Sequence, residues 1–269
     1  MFDGPEDLSY FNILAAACLI LVNGVISMLL RLNLERRLAI AALRTVVQLL
    51  LIGYVLEWFF QPDTHWSAVA LLMLIMSLIA GLSAVRRVEW RFPGIWLNSI
   101  VAVVASSWVV TTIAMTAVIA PAVWRGHIAQ YAVPLMGMIL GNTLNGISLG
   151  LDRLGEELAG KRDRVEMLLT LGATRWEAAR EPIRQAVRTG MIPIINSMMV
   201  VGIVSLPGMM TGQLLSGADP LVAVRYQIVI MFLIAAGTAL GTISAVLLSY
   251  LRLFNRRHQF LSERIAGRE

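Results

Sequence analysis

The chain reads as an all-α polytopic membrane protein with about seven transmembrane helices, on three observations. Mean hydropathy is high, at +0.74, with 58% apolar and only 14% charged residues. The apolar residues gather in runs of about 20, the length that crosses a bilayer core. These runs are apolar on every side, whereas a soluble helix keeps one polar face. Lysine and arginine collect in alternate connecting segments, the pattern produced by the cytoplasmic excess of basic residues.

The predicted spans are 10–30, 38–60, 66–85, 96–120, 132–151, 191–211 and 224–251, within a single transmembrane domain over 1–269. The fifth and sixth are rich in Gly, Asn, Ser and Pro, so either could be re-entrant. The segments after spans 1, 3, 5 and 7 carry 19 of the 22 basic residues. Arg125 alone stands on the other side, and Arg44 and Arg225 fall within spans. This asymmetry predicts an external N-terminus and a cytoplasmic C-terminus. Trp58, Trp66, Trp90 and Trp96 lie near span ends, where an aromatic belt is expected.

A sequence pI near 10.0 would suggest nucleic acid in a soluble chain. Here the basic loops of a membrane protein account for it, and no nucleic-acid partner is expected. Cys18 is the one cysteine, so neither an internal disulfide nor a cysteine metal site is available. The acidic start, "MFDGPEDLSYF", lacks the basic stretch of a cleavable signal, which makes the first span a retained anchor.

Residues 152–190 form the longest cytoplasmic excursion, and they are not a linker. Apolar residues recur at helical spacing: Leu154 and Leu158, then Val165, Leu168 and Leu169, then Trp176, Ala179 and Ile183. Gly172 suits a left-handed helix stop. Thr174 and Glu177, in "TRWE", have the spacing of a capping box, and such a cap stabilises a helix start by about 1 kcal/mol. Pro182 removes a donor and disfavours helix at Glu181. The expectation is a two-turn helix over 175–181 between two breaks, with Trp176 as apolar anchor among Arg175, Glu177, Arg180 and Glu181. Such a helix could dock a partner or lie on the membrane surface with Trp176 in the headgroups.

The segment "GEELAGKR", 155–162, matches the glycine–lysine spacing of a nucleotide-binding loop. The context argues against it. No buried strand precedes it, Arg162 replaces the hydroxyl that would ligate magnesium, and Glu156 and Glu157 would repel phosphate. The chain itself is expected to bind no cofactor.

Polar residues within the spans mark pathway candidates. Arg44 and Gln48 share a face of span 2, open to a pathway role or to snorkelling of Arg44 to the interface. In span 5, Gly137, Gly141, Asn145 and Ser148 form one stripe, and Asn142, Gly146 and Gly150 the next. Small residues at this spacing make a packing seam, a hydrophilic surface, or both. In span 6, Ser205, Pro207 and Gly208 predict broken backbone, whose freed carbonyls could coordinate a cation. Met209 and Met210 add thioethers, either as soft ligands or as ordinary gap-fillers. His65, His127 and His258 fall in loops or the tail without a paired carboxylate, so no metal ligand set is assigned.

The spacing of Glu166 and Gly172 before an apolar–charged helix resembles the coupling loop of ABC transporter permeases, with Met167 and Leu168 in place of its two alanines. The stretches 44–56, 141–151 and 205–228 resemble the FetB family (UPF0014), bacterial iron-export permeases with plant relatives tied to aluminium tolerance. The resemblance implies the permease subunit of an ATP-driven exporter in the bacterial inner membrane, itself not an enzyme. It further implies a separate ATPase carrying ATP and magnesium, docking on Glu166, Gly172, Thr174, Arg175, Trp176 and Glu177. A second copy of the chain as partner and a metal cargo, iron in the first place, are implied in the same way. Two rivals remain. A gradient-driven transporter would be expected to bury an acidic residue, and the spans hold only Glu57, near an outer end; sodium coupling through Asn, Ser and carbonyls stays open. A non-transporting scaffold would use its polar stripes for packing alone.

Overall fold

A computed structural model describes residues 10–60, 65–119, 127–255 and 257–267, and most of them are helical. Arg125, Arg256 and Arg268 of the basic census lie outside the described residues, as do residues 1–9 and the last residue of the fourth expected span.

Helices α1 (Tyr10–Leu29) and α2 (Glu35–Phe59) form a hairpin. Ser27 fastens its turn: the hydroxyl donates to Glu35 at 2.9 Å and accepts from the Leu34 N–H at 2.9 Å. No residue of α2 is buried, and only Leu56, Phe59 and Phe60 at its end reach the main core.

The other helices make the bundle: α3 (Trp66–Arg86), α4 (Ile95–Ile113) with a π-helical turn (Ala114–Val118), α5 (Ile128–Gly160), α6 (Arg162–Thr170), α7 (Arg175–Val200), α8 (Gly208–Leu215) and α9 (Pro220–Leu253). Helices α5 and α9 lie against each other at the centre, with α3, α4 and α7 packed around them. Among the described residues, α2, α3, α4 with its π turn, α5 and α9 are long and apolar enough to cross a membrane.

The centre closes through small residues, because a bilayer supplies no hydrophobic drive to hold helices together and close backbone contact must do so. A Cβ on Gly146 of α5 would sit 2.6 Å from Thr242 Oγ1 on α9. One on Gly190 of α7 would sit 2.5 Å from the Gly146 carbonyl oxygen. The stripe through Gly146 and Gly150 is therefore a packing seam. Gly141, on the neighbouring stripe, faces open space.

Two expectations are corrected. Helix α7 runs unbroken through Pro182 and Pro193, so the segment 175–181 is the first part of a 26-residue helix. A proline in a helix interior costs about 3 kcal/mol, and packing offsets it here, since Ala178, Ala179, Pro182, Ile183 and Ala186 are all buried. The sixth span is likewise not one helix. Helix α7 stops at Val200, an irregular turn follows, and α8 begins at Gly208.

Three distant segments meet at one end of the bundle. The strand β1 (Trp90–Arg91) pairs antiparallel with β2 (Ala266–Gly267) of the tail. The Glu89 N–H donates to Asp152 at the end region of α5 (2.8 Å), and Arg252 Nε donates to Asn98 on α4 (2.7 Å). Trp90 packs on Gly155, so it is an internal contact rather than part of an aromatic belt. Trp58 and Trp66 are exposed. The segments 87–94, 161–174, 254–255 and 257–267, all read as lying on one side of the membrane, thus share one end of the fold.

Candidate functional site

Two structures carry the predicted residues: a capped loop at the shared end, and a cavity beside the broken helix.

The loop is fixed by two complementary helix ends. Gly172 adopts φ +90°, the Gly172 N–H donates to Leu169 O at 3.1 Å, and the Ala173 N–H to Leu168 O at 3.0 Å. This pair of bonds satisfies the last carbonyls of α6. Thr174 then caps α7. Its N–H donates to Glu177 Oε2 at 2.7 Å, and the Glu177 N–H returns to Thr174 Oγ1 at 3.3 Å. The Thr174 backbone bond, with the Thr174 hydroxyl behind it, holds the Glu177 carboxyl below its usual range. Glu166 is turned to α6 itself, accepting from Arg162 Nε at 2.7 Å.

The tail braces the loop, a contact between residues too far apart in sequence for spacing to reveal. The Arg175 N–H donates to His258 Nδ1 at 2.9 Å, and the Arg175 guanidinium lies 5.9 Å from the Tyr250 ring centroid. Trp176 meets the same ring edge-on at 5.7 Å. Tyr250, Phe254 and Phe260 continue the stack. Trp176 still leaves 47% of its surface exposed, Met167 52% and Leu171 76%, so the tip is an apolar patch on a stiff frame.

The second site is a cavity of about 280 Å³ between α5, α7, α8 and α9. Helix α7 ends where Val201 turns extended (ψ 135°), and Gly202, at φ +83°, donates its N–H to Ser205 O (2.9 Å). Val200 O collects the N–H groups of Ile203, Val204 and Ser205. The break brings Ser205, Pro207, Gly208 and Met209 to Asn142, with Ser197, Gln227, Met138 and Met231 completing the wall. Five predicted residues therefore converge. Gln227, 6% exposed and with its Oε1 unpartnered, was missed, because a single amide in span 7 gave no pattern.

Other predicted residues fall elsewhere. Met210 lines an adjoining apolar cleft of about 540 Å³ with Met198 and Phe232, which shares Val201, Gln227 and Met231 with the cavity that Met209 lines. Asn145 accepts from Arg87 Nη1 at 2.7 Å, in a different cleft. Arg44 and Gln48 are exposed on α2, outside the cavity. Among the described residues no three His, Cys, Asp or Glu side chains group to hold a metal. The stretch 155–162 lies at the α5–α6 helix junction, where Glu157 bridges Arg153 (2.6 Å) and Lys161, and it has no phosphate-binding turn.

Long apolar helices closed by small residues around a cavity at a helix break define a multi-pass membrane protein. The chain belongs to the UPF0014 family, described as an uncharacterised protein family, which it matches over residues 10–254. It is 42% identical over 234 residues to a UPF0014 membrane protein of Synechocystis, covering 86% of this chain and 88% of that one. It is 32% identical to the Probable iron export permease protein FetB of Escherichia coli, over 91% and 92% of the two chains. It is 28% identical to the Protein ALUMINUM SENSITIVE 3 of Arabidopsis thaliana, over 91% and 87%. No solved structure matches it.

Proposed function

We propose that the protein is the permease subunit of an ATP-driven exporter that moves a metal ion, iron in the first place, out of the cytoplasm. The observation that carries the reading is the apolar tip of Met167, Leu171 and Trp176, held between two satisfied helix ends and braced by the tail. A stiff, exposed tip transmits displacement, and here it is continuous with the helix that ends at the cavity. A separate ATPase would seat on this tip, and its closure would push α7 along its axis, changing the cavity at Gly202. The loop end would then be cytoplasmic, and two copies of the chain would form the membrane unit. The name of the relative FetB supports the cargo class.

The cavity suits passage of a cation rather than its storage. Its donors are neutral: the amides of Asn142 and Gln227, the hydroxyls of Ser197 and Ser205, and the thioethers of Met138, Met209 and Met231. Such a wall replaces part of a hydration shell without the permanent charge that would trap the ion.

Co-purification of the cognate ATPase with wild type and with Trp176→Ala/Glu177→Arg tests the docking. The double variant should lose binding and stimulated ATP hydrolysis; undiminished binding and stimulation would remove the assignment. Uptake of iron into inverted vesicles, with and without ATP, tests direction and cargo together.

A further inference from the structure

Beside the tip, α6 and α7 enclose a cleft of about 430 Å³ that shares only Glu177 with the docking residues. Four cations line it, Lys161, Arg164, Arg180 and Arg184, against two carboxylates, Glu177 and Glu181. Both carboxylates are already engaged. Glu177 accepts from the Thr174 cap, and Glu181 accepts from Gln185 Nε2 at 2.7 Å. Lys161 pairs with Glu157. Among the described residues, Arg164, Arg180 and Arg184 form no ion pair or hydrogen bond. All three are exposed. The Glu181 carboxyl is held below its usual range chiefly by the Gln185 hydrogen bond, with added pull from Arg184, Lys161 and Arg164.

Three guanidinium groups without an ion pair line one cleft from two helices, and guanidinium can bind a phosphate through paired N–H donors. Height along the chain bears on the source. The apolar part of α7 begins at Met191, and at 1.5 Å per residue Arg184 lies about 10 Å before it along the helix, the height of a headgroup layer if the apolar part enters the bilayer there. With Lys161 the cleft holds four cations, the smallest cluster that attracts anionic lipid when it stands next to a membrane span.

We infer that the α6–α7 cleft binds a phosphate-bearing anion through Arg164, Arg180 and Arg184. Seated there, the anion neutralises three mutually repelling charges and ties α6 to α7 directly behind the tip. The inference does not depend on an ATPase docking at the tip, and its test involves no second protein.

The full chain in neutral detergent is titrated by calorimetry with dioctanoyl phosphatidylglycerol, dioctanoyl phosphatidylcholine and inorganic phosphate. The anionic lipid should bind about tenfold more tightly than the zwitterionic one, with affinity falling as salt rises. Arg164→Gln/Arg180→Gln/Arg184→Gln should weaken it about tenfold or more, and Arg180→Gln alone about threefold. Arg36→Gln/Arg37→Gln, which removes charge from the α1–α2 turn region, should change it less than about twofold. Displacement of the lipid by inorganic phosphate at similar concentration identifies a soluble phosphate as the source; failure to displace identifies the lipid. Equal binding of the two lipids, or an unchanged triple variant of wild-type thermal stability, overturns the inference. If the triple variant does not fold, unchanged binding by Arg180→Gln and Arg184→Gln singly does so.

Discussion

The backbone N–H of Arg175 donates to Nδ1 of His258, 2.9 Å away across 83 residues of chain. The first N–H groups of a helix have no partner within it, and here a tail side chain supplies one. The tail is thereby part of the loop's frame.

His258→Gly removes that acceptor while tolerating the left-handed backbone at this position (φ 58°). One lost hydrogen bond is worth about 1 kcal/mol, so peptides covering 171–178 should exchange amide hydrogen about fivefold faster. Exchange mass spectrometry on the detergent-solubilised protein reads this directly; unchanged rates would show that the tail does not brace the loop.

The cap should fail in acid. The Glu177 carboxyl has a folded pKa below its ordinary value of 4.5, so its contribution is fully present above that value. It is lost as pH falls through the lower folded pKa. Proteolysis of the loop should accelerate as pH falls below 4.5 in wild type, and Glu177→Gln should show faster cleavage at pH 7 with little further acid dependence. Thr174→Ala, which removes the other half of the box, should destabilise the helix start by about 1 kcal/mol.

The seam should not accept a methyl group at Gly190, where a Cβ would press on the Gly146 carbonyl. Gly190→Ala is expected to destabilise the bundle by about 1–3 kcal/mol and lower its Tm, the ordinary range for overpacking. Gly141→Ala, into open space, should leave Tm unchanged or slightly raised. Equal melting of the two variants would deny that close backbone contact holds α5 and α7.

Cargo handling is tested at Gln227 and Asn142. Each Leu variant removes an amide from the cavity wall at similar volume. Transport in inverted vesicles should fall about tenfold or more, as loss of a polar partner allows, while ATPase binding at the distant tip persists. Normal transport in both variants would move the pathway elsewhere.

Hydropathy and charge alternation in the sequence were enough to determine the all-helical membrane class, because lipid forces every backbone group into internal hydrogen bonds. Local chemistry determined the Gly172 stop and the Thr174–Glu177 box, since both depend on neighbours within a few residues. It failed at Pro182, where the cost is local but the compensating burial of Ile183 and Ala186 comes from other helices. Tertiary packing alone decided that Gln227 joins Asn142 and Ser205, that Met209 and Met210 line adjoining clefts, and that His258 reaches Arg175. Each of these joins residues far apart in the chain or chooses which way a side chain faces, and helical periodicity carries no information about which faces of different helices meet.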